Sequence, residues 1–331
     1  MKIVIPFVAV IVLILLAVAG VQGASLSFLF GVIIPYAAVV TFTAGIIYRV
    51  IYWAGSPVPF RIPTTCGQQK SLPWIKQNAI ENPTTALGVI IRMALEVLMF
   101  RSLFRNTSIE LREGPKISYG SDKWLWIAGL AFHWSFLIIL VRHFRFFSQN
   151  VPFFPIGIIE RLDSFLQIGA PLLYTTDAIL LGAVTYLFFR RVALPLVRYI
   201  SLPADYFPLF LILGIAGSGV LMRYFTKVDV TSVKKLAMGL VTLSPVIPEG
   251  IGVIFYIHLF LISVLFAYFP FSKLVHMPGV FMSPTRNMIN NSRMVRHINP
   301  WNYPVHVHTY DEYENDFRDK MKAAGIPVEK E

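Results

Sequence analysis

Apolar residues along this chain fall in long blocks, not in the strict alternation of strands or the narrow stripe of a soluble helix. Six blocks stand out, at 3–21, 27–53, 124–147, 165–189, 205–225 and 251–271. Each holds about twenty residues or more, enough to cross a bilayer as a helix. Pro35, Pro171, Gly214, Gly217 and Gly219 fall inside these blocks, and membrane helices accommodate both residue types. A β-barrel would show short alternating segments instead. The pattern predicts an all-α, polytopic membrane bundle of six transmembrane helices. A seventh apolar segment, within 84–105, is broken at helical spacing by Arg92, Glu96 and Arg101, so it predicts an amphipathic helix on the membrane surface. The first block has the lysine and apolar run of a signal peptide. Its run is longer than a usual signal core and "VQGAS" is a weak cleavage site, so a retained anchor helix is expected.

Composition agrees. Only 14% of the 331 residues are charged, against about a quarter in soluble domains. The net charge of +11 comes with no nucleic-acid-binding motif, and basic residues at span ends account for it. With six spans, Arg142, Arg145, Arg161, Arg223, Lys227, Lys234 and Lys235 fall on one side and the remainder of the 29 Lys and Arg on the other. The richer side, with both termini, the 54–123 connection and the tail, is expected to be cytoplasmic. The expected organisation is a membrane domain over 1–276, including the 54–123 connection, and a cytoplasmic tail over 277–331. A single cysteine, Cys66, excludes an internal disulfide framework and any iron–sulfur cluster held by this chain alone; it reads as a plain loop thiol.

Four of the seven histidines lie in or beside spans, on two helices only: His133 and His143, and His258 and His276. Ionisable residues inside a membrane are functional candidates. Single histidines there commonly bond neighbouring helices, but two plus two is a more specific pattern. The third and sixth spans run antiparallel, which would level His133 with His276 and His143 with His258. Two facing imidazoles can hold a haem iron from above and below, with no open position, for electron transfer. Two such haems would form a wire across the membrane. Phe132, Trp134, Phe136, Phe255, Tyr256 and Phe260 would suit the macrocycle walls. The spacing is unequal: ten residues rise about 15 Å and eighteen about 27 Å in straight helix. Pro270 is placed to kink the longer segment.

Arg142 and Arg145, at the end of the third span, and Arg49, Arg190 and Arg191, at the opposite edge, are candidates to pair with haem propionates. Glu160 and Arg161, opening the fourth span, are candidates to hold a quinol and move its protons. His306 and His308, with His297 nearby, form an H-x-H without a supporting cysteine and read as surface loop. "GIAGSGV" (214–220) reads as close helix packing. No Walker loop or dinucleotide fingerprint occurs.

The histidine pattern resembles the γ-subunit family of respiratory nitrate reductase, dihaem cytochromes b whose five helices would correspond to spans two to six. The loop text "SPVPFRIPTTCGQQKSLPWIKQNAIENP" with "IRMALEVLMFRSLFRNT" resembles the DsrM-type family, the membrane cytochrome b subunits of Dsr complexes in dissimilatory sulfur metabolism. The resemblance implies two haems b, with pairings His133–His276 and His143–His258, and a quinol site near His143 with Arg161 as the nearest basic counterpart. It further implies exchange with menaquinone and a DsrK-like cytoplasmic iron–sulfur partner. Multihaem cytochrome c, iron–sulfur and second membrane subunits would complete the complex, in the inner cytoplasmic membrane. A cytochrome b of nitrate or heterodisulfide reductase, a non-haem transporter with buried histidines, and a structural anchor are the rival readings.

Overall fold

A computed structural model describes residues 1–56, 58, 67–114, 116–164, 172–295 and 306–330. Cys66, His297 and the opening of the fourth expected span, 165–171, lie outside the described residues. In chain order the elements are α1 (Val4–Val18), α2 (Ile34–Ala54), α3 (Ala86–Met99), α4 (Arg101–Phe104), β1 (Thr107–Arg112), β2 (Lys116–Ser121), α5 (Lys123–His143), α6 (Ile158–Asp163), α7 (Thr175–Ala193), α8 (Pro195–Ile200), α9 (Pro203–Val220), α10 (Val230–Val241), α11 (Val253–Tyr268), α12 (His276–Gly279) and α13 (Tyr310–Ala323). The chain forms two compact units, one of residues 1–56 with 90–287, the other of 57–89 with 288–331.

The larger unit is a helical bundle. Among the described residues, five of its helical stretches are long and apolar enough to span a membrane: Val4–Gly23, Leu29–Ala54, Lys123–Phe147, Pro203–Thr226 and Val253–Phe271. The fourth expected span corresponds to α7, which is outside this set because Asp177 enters its first turn and Arg190 and Arg191 its last. α7 nonetheless packs between α5 and α9. The apolar core joins α1, α7, α9 and α11 through Val10, Val184, Leu211 and Leu261. Gly214 serves that core by close approach: a Cβ there would lie 3.2 Å from Leu261 and 3.6 Å from Val10.

The surface helix expected over 84–105 is broken in two. Phe100 takes a left-handed conformation (φ 49°, ψ 48°) and ends α3. The Glu96 carboxylate then turns back to accept from the Ser102 amide (3.1 Å) and hydroxyl (2.7 Å), capping α4. The last carbonyls of α3, which have no partner within the helix, accept from α5 indoles instead: Trp126 to Met99 (2.7 Å) and Trp134 to Leu98 (3.0 Å). A two-stranded antiparallel hairpin follows, with Thr107 opposite Ser121 and Arg112 opposite Lys116. Among the described residues, the regular structure is therefore helical apart from one hairpin that the apolar-block pattern did not foresee.

In the smaller unit, Asn290 closes a local network. Its amide donates to the Pro83 carbonyl (2.7 Å) and its side chain to Asn82, which in turn donates to the Gly67 carbonyl (2.7 Å). α13 begins with a capping box between Thr309 and Glu312. The buried Glu314 carboxylate accepts the amides of Glu329 (2.8 Å) and Lys330 (2.9 Å), tying the chain end to the helix.

Candidate functional site

The bundle brings the four histidines together in two pairs. The rings of His133 and His276 have centroids 6.0 Å apart at 81°. Those of His143 and His258 are 6.3 Å apart at 20°. In each ring Nδ1 faces a backbone carbonyl: Gly129 for His133 (2.7 Å), Ile139 for His143 (2.7 Å), Lys273 for His276 (2.8 Å) and Ile215 for His258 (3.0 Å). A carbonyl only accepts, so Nδ1 carries the hydrogen in all four. The lone pair is then on Nε2, which has no hydrogen-bond partner among the described residues. This is the arrangement of imidazoles prepared to bind metal, with the second nitrogen fixed by a carbonyl.

The separations suit one metal ion per pair. An imidazole nitrogen lies about 2 Å from a transition metal and its ring centre roughly 1 Å further back, so two trans imidazoles need centroids about 6 Å apart. The donor set and spacing thus fit a six-coordinate haem iron at each pair.

The unequal sequence spacing is absorbed where α11 ends. Beyond Tyr268 the chain makes a tight turn at Phe269–Phe271, becomes extended at Ser272 (φ −118°, ψ 177°), and makes a second tight turn at Lys273–Val275. His276 therefore stands on its own short segment beyond α11. That segment is secured from three sides. Arg49 Nε donates to the Pro270 carbonyl (3.0 Å), Pro270 packs on Gly45 of α2, and Lys273 pairs with Asp205 of α9 (2.6 Å). Gly45 is required for this approach, because a Cβ there would meet the Pro270 ring at 2.6 Å.

The arginines singled out as propionate candidates each have a protein partner, which for Arg49 is the Pro270 carbonyl. Arg190 faces Asp122 at 3.4 Å, and Arg191 donates to Ser201 (2.9 Å) and lies 3.8 Å from Asp205. Arg145 pairs with Glu160 at 2.8 Å. Arg142 is buried between two carboxylates, Asp163 (3.1 Å) and Asp177 (2.5 Å). Both acids are further satisfied: Asp163 accepts from the Thr176 amide and hydroxyl, and Asp177 from the Tyr224 hydroxyl. The guanidinium groups of Arg142 (3.7 Å) and Arg223 (4.1 Å) both lie over the Tyr174 ring.

Beside this cluster opens a cleft of about 600 Å³, lined by Arg145, Phe153, Glu160, Arg161, Tyr174 and Arg223, among others. Glu160 and Arg161 thus share one cleft with Arg145, two residues beyond His143. Asp177, Tyr174, Arg223 and Tyr224 were not singled out in the sequence as site residues. The charges of Asp177 and Arg223 within apolar blocks were the available signal. Of the expected haem-wall aromatics, Phe132 packs edge-on to His133 (4.9 Å), whereas the Trp134 indole caps α3 and Phe255 and Tyr256 are buried with Ala17, Phe30 and Leu236.

In the smaller unit His306, His308 and Glu312 bring possible ligand atoms within 4.8 Å of one another, all exposed. The Glu312 carboxylate is already engaged there, accepting the Thr309 amide at 2.9 Å. Helix capping accounts for its position.

Residues 93–297, which include all four paired histidines, match the nitrate reductase gamma subunit family. Two curated relatives are both described as an Hdr-like menaquinol oxidoreductase cytochrome b-like subunit. The one from Archaeoglobus fulgidus is 45% identical over 280 residues, covering 82% of this chain and 83% of its own. The one from Archaeoglobus profundus is 41% identical over 275 residues, 81% of each.

Proposed function

Because this chain belongs to the nitrate reductase gamma subunit family, we propose that it is a dihaem b-type membrane cytochrome exchanging electrons between the menaquinone pool and a cytoplasmic iron–sulfur subunit. One haem b is held by His133 and His276, the other by His143 and His258. The observation that carries this reading is the state of the four imidazoles, each with Nδ1 held by a carbonyl and paired at 6.0 or 6.3 Å with another. Haem iron with two imidazole ligands supplies one-electron transfer and has no open position.

The chain's own residues bind and orient the quinol. The cleft beside His143 admits the head group, with Arg161 offering hydrogen bonds to its oxygen and Glu160 accepting a hydroxyl proton. The Arg145–Glu160 pair, part-exposed, holds that carboxylate at the cleft wall. Arg49, Arg145, Arg190 and Arg191 retain donors for haem propionates, whereas Arg142 is committed to its two acids. The curated relatives' description as menaquinol oxidoreductase subunits supports the choice of quinone. Within a Dsr-type complex of sulfur metabolism, the partners would be a DsrK-like iron–sulfur subunit, a multihaem cytochrome c and a second membrane subunit. The packing of 57–89 with 288–331 into one unit supports a single docking surface for the iron–sulfur partner, on the cytoplasmic side with both termini. The family match itself favours a second reading, a gamma-type cytochrome b of another reductase; the copurifying subunit distinguishes the two.

Haem quantitation tests the assignment. The wild-type chain is expected to hold two haems b. His133→Ala and His276→Ala lose one and the same haem; His143→Ala and His258→Ala lose the other. Retention of both haems in all four variants overturns it.

A further inference from the structure

The four histidines are not held alike. His133 and His143 each donate to the carbonyl four residues back in α5, and His276 to the carbonyl three residues back. Those three anchors move with their own ligands. His258 is anchored across helices: its Nδ1 faces the Ile215 carbonyl (3.0 Å) and the Ser218 hydroxyl oxygen (2.9 Å), both on α9.

The Ser218 hydroxyl has one hydrogen, and carbonyls compete for it. Gly214 O lies 2.7 Å away and Ile215 O 2.9 Å. With its hydrogen directed there, the oxygen presents lone pairs to His258 Nδ1–H. His258 and Ser218 are both buried, at 8% and 7% exposure. The next residue is Gly219, where a Cβ would lie 3.3 Å from His258 Cε1. The "GSG" of α9 is thus shaped around the ring: serine supplies an acceptor and glycine leaves its flank free. Close helix packing explains Gly214, but not a hydroxyl aimed at an imidazole.

We infer that Ser218 is a positioning residue for His258, fixing the ring from a neighbouring helix and setting the potential of one haem separately from the other. This rests on the haem assignment above. An acceptor on the distal nitrogen makes a metal-bound imidazole more basic, which favours the more positive, oxidised iron. Removing that acceptor favours the reduced form.

The test is a redox titration of the full-length chain, followed by haem absorption and low-spin electron paramagnetic resonance. Ser218→Ala, a small change expected to fold, should retain both haems. The haem of His143 and His258 should rise in midpoint potential. At a fixed ambient potential its oxidised-to-reduced ratio should fall severalfold, a tenfold fall corresponding to about 59 mV for one electron. Its resonance should shift with it, while the haem of His133 and His276 stays in place. The His133→Ala background isolates the affected haem; the two-wave titration of the otherwise wild-type chain gives the same answer without it. Ser218→Thr keeps the hydroxyl and should restore the wild-type potential. Ser263→Ala is the control, since Ser263 is another buried serine that bonds back to Leu259 O (2.8 Å) on its own helix. Unmoved midpoints in Ser218→Ala, an equal shift of both haems, or the same shift in Ser263→Ala overturns the inference. A wild-type chain without b-type haem would overturn the functional reading instead.

Discussion

The two ends of the bundle hold a histidine pair by different means. At the His143–His258 end, His258 lies within α11, is buried, and leans on a neighbouring helix. Beside it the buried Arg142 is ion-paired with Asp163 and Asp177. At the His133–His276 end, His276 stands beyond α11 on a pair of tight turns, and both histidines are exposed. The ion pair there, Lys273 to Asp205, has a lysine side chain that is 75% exposed. One end is fixed by buried charge, the other by tight turns packed on α2 and an exposed ion pair. Damage should therefore unfold the first and merely loosen the second.

The largest contrast is expected from removing one charge at each end. Asp177→Ala leaves Arg142 under-compensated in the interior, and stripping one partner from a buried pair costs about 3–5 kcal/mol. Lys273→Ala removes an exposed partner and should cost about 1 kcal/mol or less. Thermal unfolding of both variants in the same detergent measures the difference; equal losses would dissolve the distinction. Next is Gly45→Ala, which forces a Cβ into the Pro270 ring. Overpacking of this kind costs about 1–3 kcal/mol, and the displaced segment carries His276. Haem content should fall at the His133–His276 site alone. Arg49→Ala acts on the same segment more gently, removing one hydrogen bond to Pro270 O worth about 1 kcal/mol. A broadened resonance of that haem, with both haems retained, is expected. The smallest effect lies in the smaller unit. The Glu329 amide, with those of Lys330 and the Arg318 side chain, holds the Glu314 carboxyl below the usual carboxylate range. A depressed carboxyl stabilises above its unfolded pKa and ceases to as pH falls through its folded value. Hydrogen exchange at Glu329 and Lys330 should accelerate on acidification through that window, and Glu314→Gln should show no such dependence.

Much of this was legible in the sequence. Five apolar blocks became long apolar helices because no charge interrupts their middles. The four histidines stood out because imidazole is rare in such blocks. What stayed hidden depends on contacts between distant segments. Pro270 marked a kink in the 258–276 segment, but not the extended Ser272 or the two tight turns around it, which the Gly45–Pro270 approach and Arg49 stabilise from α2. Ser218 looked like packing because its partner lies forty residues away. The hairpin over Thr107–Ser121 alternates over too few residues to compete with the apolar blocks around it. Asp177 reads as an isolated charge until α5 brings Arg142 beside it.

The Arg142 network also constrains how this chain can change over generations. A lone exchange at 142, 163 or 177 strands charge in a largely buried place. Drift at these three places should be concerted, with homologues keeping the triplet whole or replacing it whole by neutral residues, and an intermediate surviving only where a second substitution arrives with the first.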